Sequence, residues 1–148
     1  MHEVKAGEAF QKQAPKYVVG FLNAEGGRGL WGVDDGGAVV GIDIEPKKQD
    51  EQRQAVIRKL RDWGIFSNYH IVAVPVQGTD KVVLEVHCNK YYKIVELHVP
   101  EDKKRQAPQQ RYTYVRVNDS ILALREPLKL EQWAEQRRHE LLDSNWPS

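Results

Sequence analysis

Several groups of residues have side chains able to do chemistry, and their spacing decides which chemistry is open to them. Gly27, Gly29 and Gly32 spell G-x-G-x-x-G, the spacing that cradles a dinucleotide pyrophosphate. That chemistry needs a strand before the glycines and a helix after them, so that the phosphates meet a helix N-terminus. Here the order is helix, glycines, strand, which excludes it. His87, Cys88 and His98 are potential metal donors, but their spacing fits no compact zinc pattern. Alternation along a strand also places His87 and Cys88 on opposite faces, which fits ordinary packing and surface roles. Tyr91-Tyr92, flanked by Lys90 and Lys93, has the composition of a stacking platform for unpaired bases, and equally that of a pair packed on a sheet. Asp34-Asp35 ahead of Gly36-Gly37 offers two carboxylates to a cation, and it is also what a tight turn wants for conformational reasons. Asn118-Asp119-Ser120 is a glycosylation sequon, without meaning in a chain expected to carry no export signal.

The elements that must position these residues follow from apolar periodicity. Residues 3–5 read as a short extended segment. Pro15 suits the first turn of a helix, with Tyr17, Val18, Phe21 and Leu22 at helical spacing and Gly26-Gly27 as its stop. Residues 29–33 and 38–42 form the arms of a hairpin bent at 34–37. A second helix is predicted over 50–63, where Val56, Ile57, Leu60 and Trp63 share a stripe and Gly64 takes the C-cap position. Extended segments follow at 70–76, 82–87, 94–99 and 112–117, with a polar loop at 106–110. A final helix spans 130–143, with Trp133, Arg137 and Leu141 in register. The expectation is one α+β domain over residues 1–148, with a largely antiparallel sheet flanked by about three helices.

Composition narrows the function classes. With 148 residues, 41% hydrophobic and 29% charged, the chain has an ordinary globular balance and enough length for a core. No stretch reaches the roughly 20 apolar residues of a membrane span, and no leader is read at the N-terminus, so a cytoplasmic location is expected. One cysteine excludes a disulfide scaffold. The net charge of +1 announces no polyanion partner, but its distribution is uneven. Residues 103–116 carry Lys103, Lys104, Arg105, Arg111 and Arg116 without an acid.

The segment Tyr17-Val18-Val19-Gly20-Phe21-Leu22-Asn23-Ala24-Glu25-Gly26-Gly27 runs into Leu30-Trp31-Gly32-Val33-Asp34-Asp35, then Gly37-Ala38-Val39-Val40-Gly41-Ile42. This resembles the Schlafen-type AlbA domain, in which an apolar helix ends in A-F-A-N-T-x-G-G and a strand ends in G-V-D-D before a hairpin to V-x-G. Glu3-Val4-Lys5 looks like the family's E-F-K strand. Tyr112-Thr113-Tyr114-Val115-Arg116-Val117 looks like its Y-x-V-R-x-G strand, with Asn118 where glycine is usual. The likeness covers residues 3–124.

The resemblance implies work on nucleic acid. Some members are metal-dependent endoribonucleases acting on tRNA-like RNA, and others are DNA-binding modules. By the family pattern Glu3 and Asp34 are the catalytic carboxylates and ligands of Mg²⁺ or Mn²⁺; strand alternation puts Lys5 on the face of Glu3, and Glu8 or Asp35 is able to complete the set. Such ions prefer oxygen ligands and stabilise charge on a scissile phosphate as Lewis acids. The family's third glutamate has no counterpart here. Arg28, Arg111, Arg116, Lys103, Lys104 and Arg105 are the expected phosphate contacts. The expected partners are RNA or DNA, and a homodimer or a second Schlafen-type lobe, since the family's active cores contain two lobes.

Overall fold

The first helix begins well before the proline that the sequence marks as its start. In the computed structural model, which describes residues 3–98 and 111–145, with side chains between residues 8 and 143, helix α1 runs Glu3–Leu22 with Pro15 inside it. Phe10, Ala14, Val18 and Leu22, four residues apart and fully buried, form its core stripe. That stripe carries the helix through Pro15, whose missing N–H leaves the Gln11 carbonyl without its usual helical donor. The expected strand at residues 3–5 is therefore corrected to helix, and strand alternation no longer puts Lys5 on the face of Glu3. Their side chains lie outside the described residues.

Gly26 ends this unit. Its N–H donates to the Phe21 carbonyl at 3.0 Å, and its φ of +85° is the left-handed conformation that glycine adopts without cost. A Cβ here would stand 2.6 Å from the Cys88 carbonyl oxygen, so the close approach of the next strand also requires glycine. The chain then enters β1 (Gly27–Trp31), which confirms the order helix, glycines, strand.

Helix α2 (Pro46–Asp62) starts four residues before its predicted boundary, because Pro46 is already preset for the first turn. It closes as expected around Gly64, with Ile65 N–H donating to the Leu60 carbonyl at 2.8 Å and Gly64 N–H to Arg61 at 2.9 Å. Strands β2 (Tyr69–Pro75) and β3 (Val82–Cys88) follow, and the sheet order is β1-β3-β2, all antiparallel. The second hairpin arm, residues 38–42, forms only the bridges Val33–Val39 and Ile42–Val82. Of the segment 94–99, expected as a strand, the described residues 94–98 contribute one bridge, Leu97–Tyr112. A two-stranded sheet joins β4 (Thr113–Val117) to β5 (Ser120–Leu124), a strand the periodicity missed. Asn118 bends this hairpin with φ +55°, which explains how it replaces a glycine: asparagine tolerates the left-handed region.

One face of the three-stranded sheet, with Trp31, Leu84, Val86 and Cys88, packs with the α1 stripe, with Val56 and Leu60 of α2, and with Tyr112 and Tyr114. Asn23 locks the second sheet to the end of α1. Its amide nitrogen donates toward the Val95 carbonyl (3.1 Å), Thr113 Oγ1 (2.9 Å) and the Tyr114 carbonyl (3.0 Å). Its oxygen accepts the Val95 N–H at 2.8 Å. Helix α3 (Pro127–Asn145) buries Leu130, Ala134, Arg137 and Leu141. Arg137 donates to Glu25 at 3.1 Å and to the Ala24 carbonyl, tying α3 to the turn after α1. No helix among the described residues is long and apolar enough to cross a membrane.

Candidate nucleic-acid interface

The predicted site residues separate into groups. Asp34 lies at the exposed tip of the hairpin, where Oδ1 accepts the Gly36 N–H at 3.0 Å and the Ala38 N–H at 2.8 Å. These bonds, with Gly37 N–H donating to the Asp34 carbonyl, give that carboxylate a conformational role. Asp35 and Glu8 are exposed. Glu8 lies with Gln11 and Lys12 along an open concavity on α1. Among the described residues no three His, Cys, Asp or Glu side chains stand close enough to hold a metal ion. The side chains of Glu3 and Lys5, and all of Lys103, Lys104 and Arg105, lie outside the described residues.

The arginines differ in what holds them. Arg111 is engaged by two carboxylates, donating to Glu96 Oε1 at 2.9 Å and to Glu131. Its hydrogen bonds, first to Glu96 and then to Glu131, hold its guanidinium well above its ordinary range. Arg28 donates to the buried carboxylate of Glu85 at 2.7 Å while remaining 59% exposed. Arg116 donates through Nε to the Asn118 carbonyl at 3.0 Å, and its guanidinium stands 5.4 Å over the Phe21 ring. Among the described residues no carboxylate pairs with Arg116.

The fold brings Arg116 and Arg28 to one corner. A side chain at Gly27 would meet the Phe21 ring at 2.7 Å and the Arg116 guanidinium at 3.2 Å, so Arg116 covers the start of β1 on the core side. Arg28 leaves the next residue on the other face. Lys90 joins them, because β3 pairs Cys88 with Gly27 and the chain turns directly beyond it. Its ammonium bonds Glu25 at 3.0 Å and lies 5.4 Å over the ring of Tyr92, which is exposed. Glu25 is held below the usual carboxylate range, first by the Lys90 hydrogen bond and then by that of Arg137. The corner thus presents Arg116 and Lys90 beside an exposed aromatic ring, with Arg28 on the opposite sheet face, around a turn in which Gly26 is buried and Gly27 half-buried. Phosphate contacts require basic groups, and an exposed ring serves stacking.

Sequence reasoning passed over Glu85. It is a carboxylate inside the run Val82–Cys88, and its signal is the break in that apolar pattern, with His87 two residues on, on the same face.

The order of elements, with two antiparallel sheets around α1, defines a small α+β domain of the AlbA kind. The family model for Schlafen, AlbA_2 matches residues 2–125, and the chain belongs to that family. This membership connects the protein with nucleic acid. Among solved structures, the DIP2311 protein from Corynebacterium diphtheriae is similar to it with a TM-score of 0.54 and 21% identity over 89% of this chain. The match occupies 22% of that protein, so this chain corresponds to a small part of it, and the likeness is one of fold.

Proposed function

We propose that this protein is a nucleic-acid-binding module whose contact surface is the corner around Gly26 and Gly27. The observation that carries the reading is that Arg116 and Lys90 stand at the Gly26–Gly27 turn beside exposed Tyr92, with Arg28 following directly on the other sheet face. Structured RNA such as tRNA is the first ligand to test, with duplex DNA beside it. Arg111 falls outside the contact because two carboxylates, Glu96 and Glu131, engage it, where Arg28 and Lys90 each face one. Lys103, Lys104 and Arg105 remain candidate phosphate contacts by composition alone. A homodimer or a second Schlafen-type lobe would supply further contacts, and the mass of the complex reads that directly.

The test is a gel shift with end-labelled tRNA and with a DNA duplex, in Mg²⁺, in Mn²⁺ and in chelator. The reading predicts a shift that weakens with salt, persists in chelator and falls in Arg116→Ala, with the nucleic acid intact. Absence of any shift would refute it. Discrete RNA fragments that require metal and disappear in Asp34→Asn would replace it with the endoribonuclease reading that the resemblance implies.

A further inference from the structure

The sheet face opposite the core carries an arrangement that packing does not need. Strand register places His70, His87 and Arg28 in one row across β2, β3 and β1, and Val72, Glu85 and Leu30 in the next. Neighbours in such a row stand roughly 5 Å apart at Cβ. The face is open: Leu30 is 41%, Val72 37% and Val74 41% exposed, and His70 is exposed too. At its centre Glu85 is nonetheless buried. One of its oxygens, Oε1, takes both the Arg28 guanidinium at 2.7 Å and His87 Nε2 at 3.0 Å. A buried carboxylate on an open face is unfavourable unless paired. Here its pairing fixes an arginine and a histidine side by side, both still turned to solvent.

Charge on this row depends on protons. The groups facing His87 are Arg28 from β1, Glu85 from its own strand and His70 from β2. With both imidazoles neutral, Arg28 and Glu85 cancel. With both protonated, the row carries two net positive charges. Histidine is the residue type whose charge can change within the physiological range.

We infer that the His70–His87–Arg28 row is a proton-dependent phosphodiester subsite for single-stranded nucleic acid. Glu85 is the positioning residue, and Leu30, Val72 and Val74 form the apolar shelf beneath the bases and sugars. The occupant follows from charge complementarity on a flat open face, and from continuity with the Gly26–Gly27 corner through Arg28, which belongs to both. This inference rests on the nucleic-acid reading proposed above. It adds an orientation of the nucleic-acid backbone on that surface, with phosphates over the cationic row and apolar ring faces over the shelf.

The experiment is fluorescence anisotropy of a short labelled oligouridylate with the full chain at fixed ionic strength, at about pH 5.5 and about pH 7.5. Wild type is expected to bind about tenfold more tightly at the lower pH, the worth of a charge-assisted contact or two. The double variant His70→Ala, His87→Ala is expected to lose that ratio. His87→Gln, which retains a polar side chain, should lower it and serves if the alanine pair fails to fold, as circular dichroism at both pH values shows. Arg116→Ala is expected to weaken binding at both pH values and to leave the ratio in place. Binding with no pH ratio in wild type, or a ratio preserved in the double variant, overturns this inference and spares the corner reading. No binding of the oligouridylate at either pH overturns this inference alone, and the tRNA and duplex gel shift decides the corner reading separately.

Discussion

Replacing Asn23 with alanine separates architecture from ligand contact at the family's most recognisable motif. The side chain is 4% exposed and has four polar contacts to residues far away in sequence. After truncation the Val95 N–H and the Tyr114 carbonyl each lose a partner in a place water does not reach. The Val95 carbonyl keeps the Thr113 hydroxyl. The orphaned Val95 N–H at about 1–3 kcal/mol, and the lost hydrogen bond to the Tyr114 carbonyl at about 1 kcal/mol, give a loss of about 2–4 kcal/mol. For a chain of this size that corresponds to a fall of roughly 5–15 °C in Tm. Equilibrium urea unfolding followed by tryptophan fluorescence measures it, with Asn23→Asp as control: the acceptor for Val95 survives, but the donors are lost. A loss below about 1 kcal/mol in Asn23→Ala would refute the architectural role, as would weaker nucleic-acid binding at unchanged stability.

Four further outcomes follow from the same geometry. Asp34→Asn keeps the oxygen that accepts Gly36 and Ala38 and should hold stability, whereas Asp34→Ala should lose about 1 kcal/mol in urea unfolding, on the scale of a lost capping oxygen. Arg111→Ala should leave RNA affinity within about twofold in anisotropy titrations, because the wild-type guanidinium is already matched by Glu96 and Glu131. Cys88 should resist alkylation in the folded protein at mildly alkaline pH and react fully in denaturant, since burial pushes its thiol up to about 12. Its raised value means that the stability it confers is present below the ordinary thiol range and declines as pH rises through that range toward 12. Glu25 shifts the other way: its contribution is present above the ordinary carboxylate range and is lost as pH falls through its lowered value. Glu25→Gln should accordingly flatten the acid limb of a pH–stability curve.

Local signals in the sequence foretold the parts of the fold that local chemistry decides. Gly64 closes α2 because a left-handed residue is needed there, and Asp34 through Gly37 turn because an aspartate oxygen reaches two backbone donors. His87 and Cys88 fall on opposite faces, as strand alternation requires, with Cys88 in the core. The failures occurred where distant contacts decide. Pro15 reads as a helix start in isolation, yet Phe10 and Ala14 bury the preceding turns against the rest of the core. The described residues 94–98 have strand character but pair through a single bridge, and Asn23 takes the backbone groups of Val95. At the interface, Arg28 and Arg116 were legible as cations. That Arg111 is occupied and Lys90 adjacent was not, because both facts arise from partners distant in sequence. Glu85 was hidden by the apolar strand around it.

The central claim is that the corner at Gly26 and Gly27 holds nucleic-acid phosphates. It is tested most directly by the slope of log affinity against log salt for tRNA, in wild type and in Arg116→Ala. Each phosphate contact contributes a little under one unit of slope, so Arg116→Ala should be shallower by about one and bind several-fold more weakly at low salt. A folded Arg116→Ala protein with the wild-type slope and affinity would contradict the account.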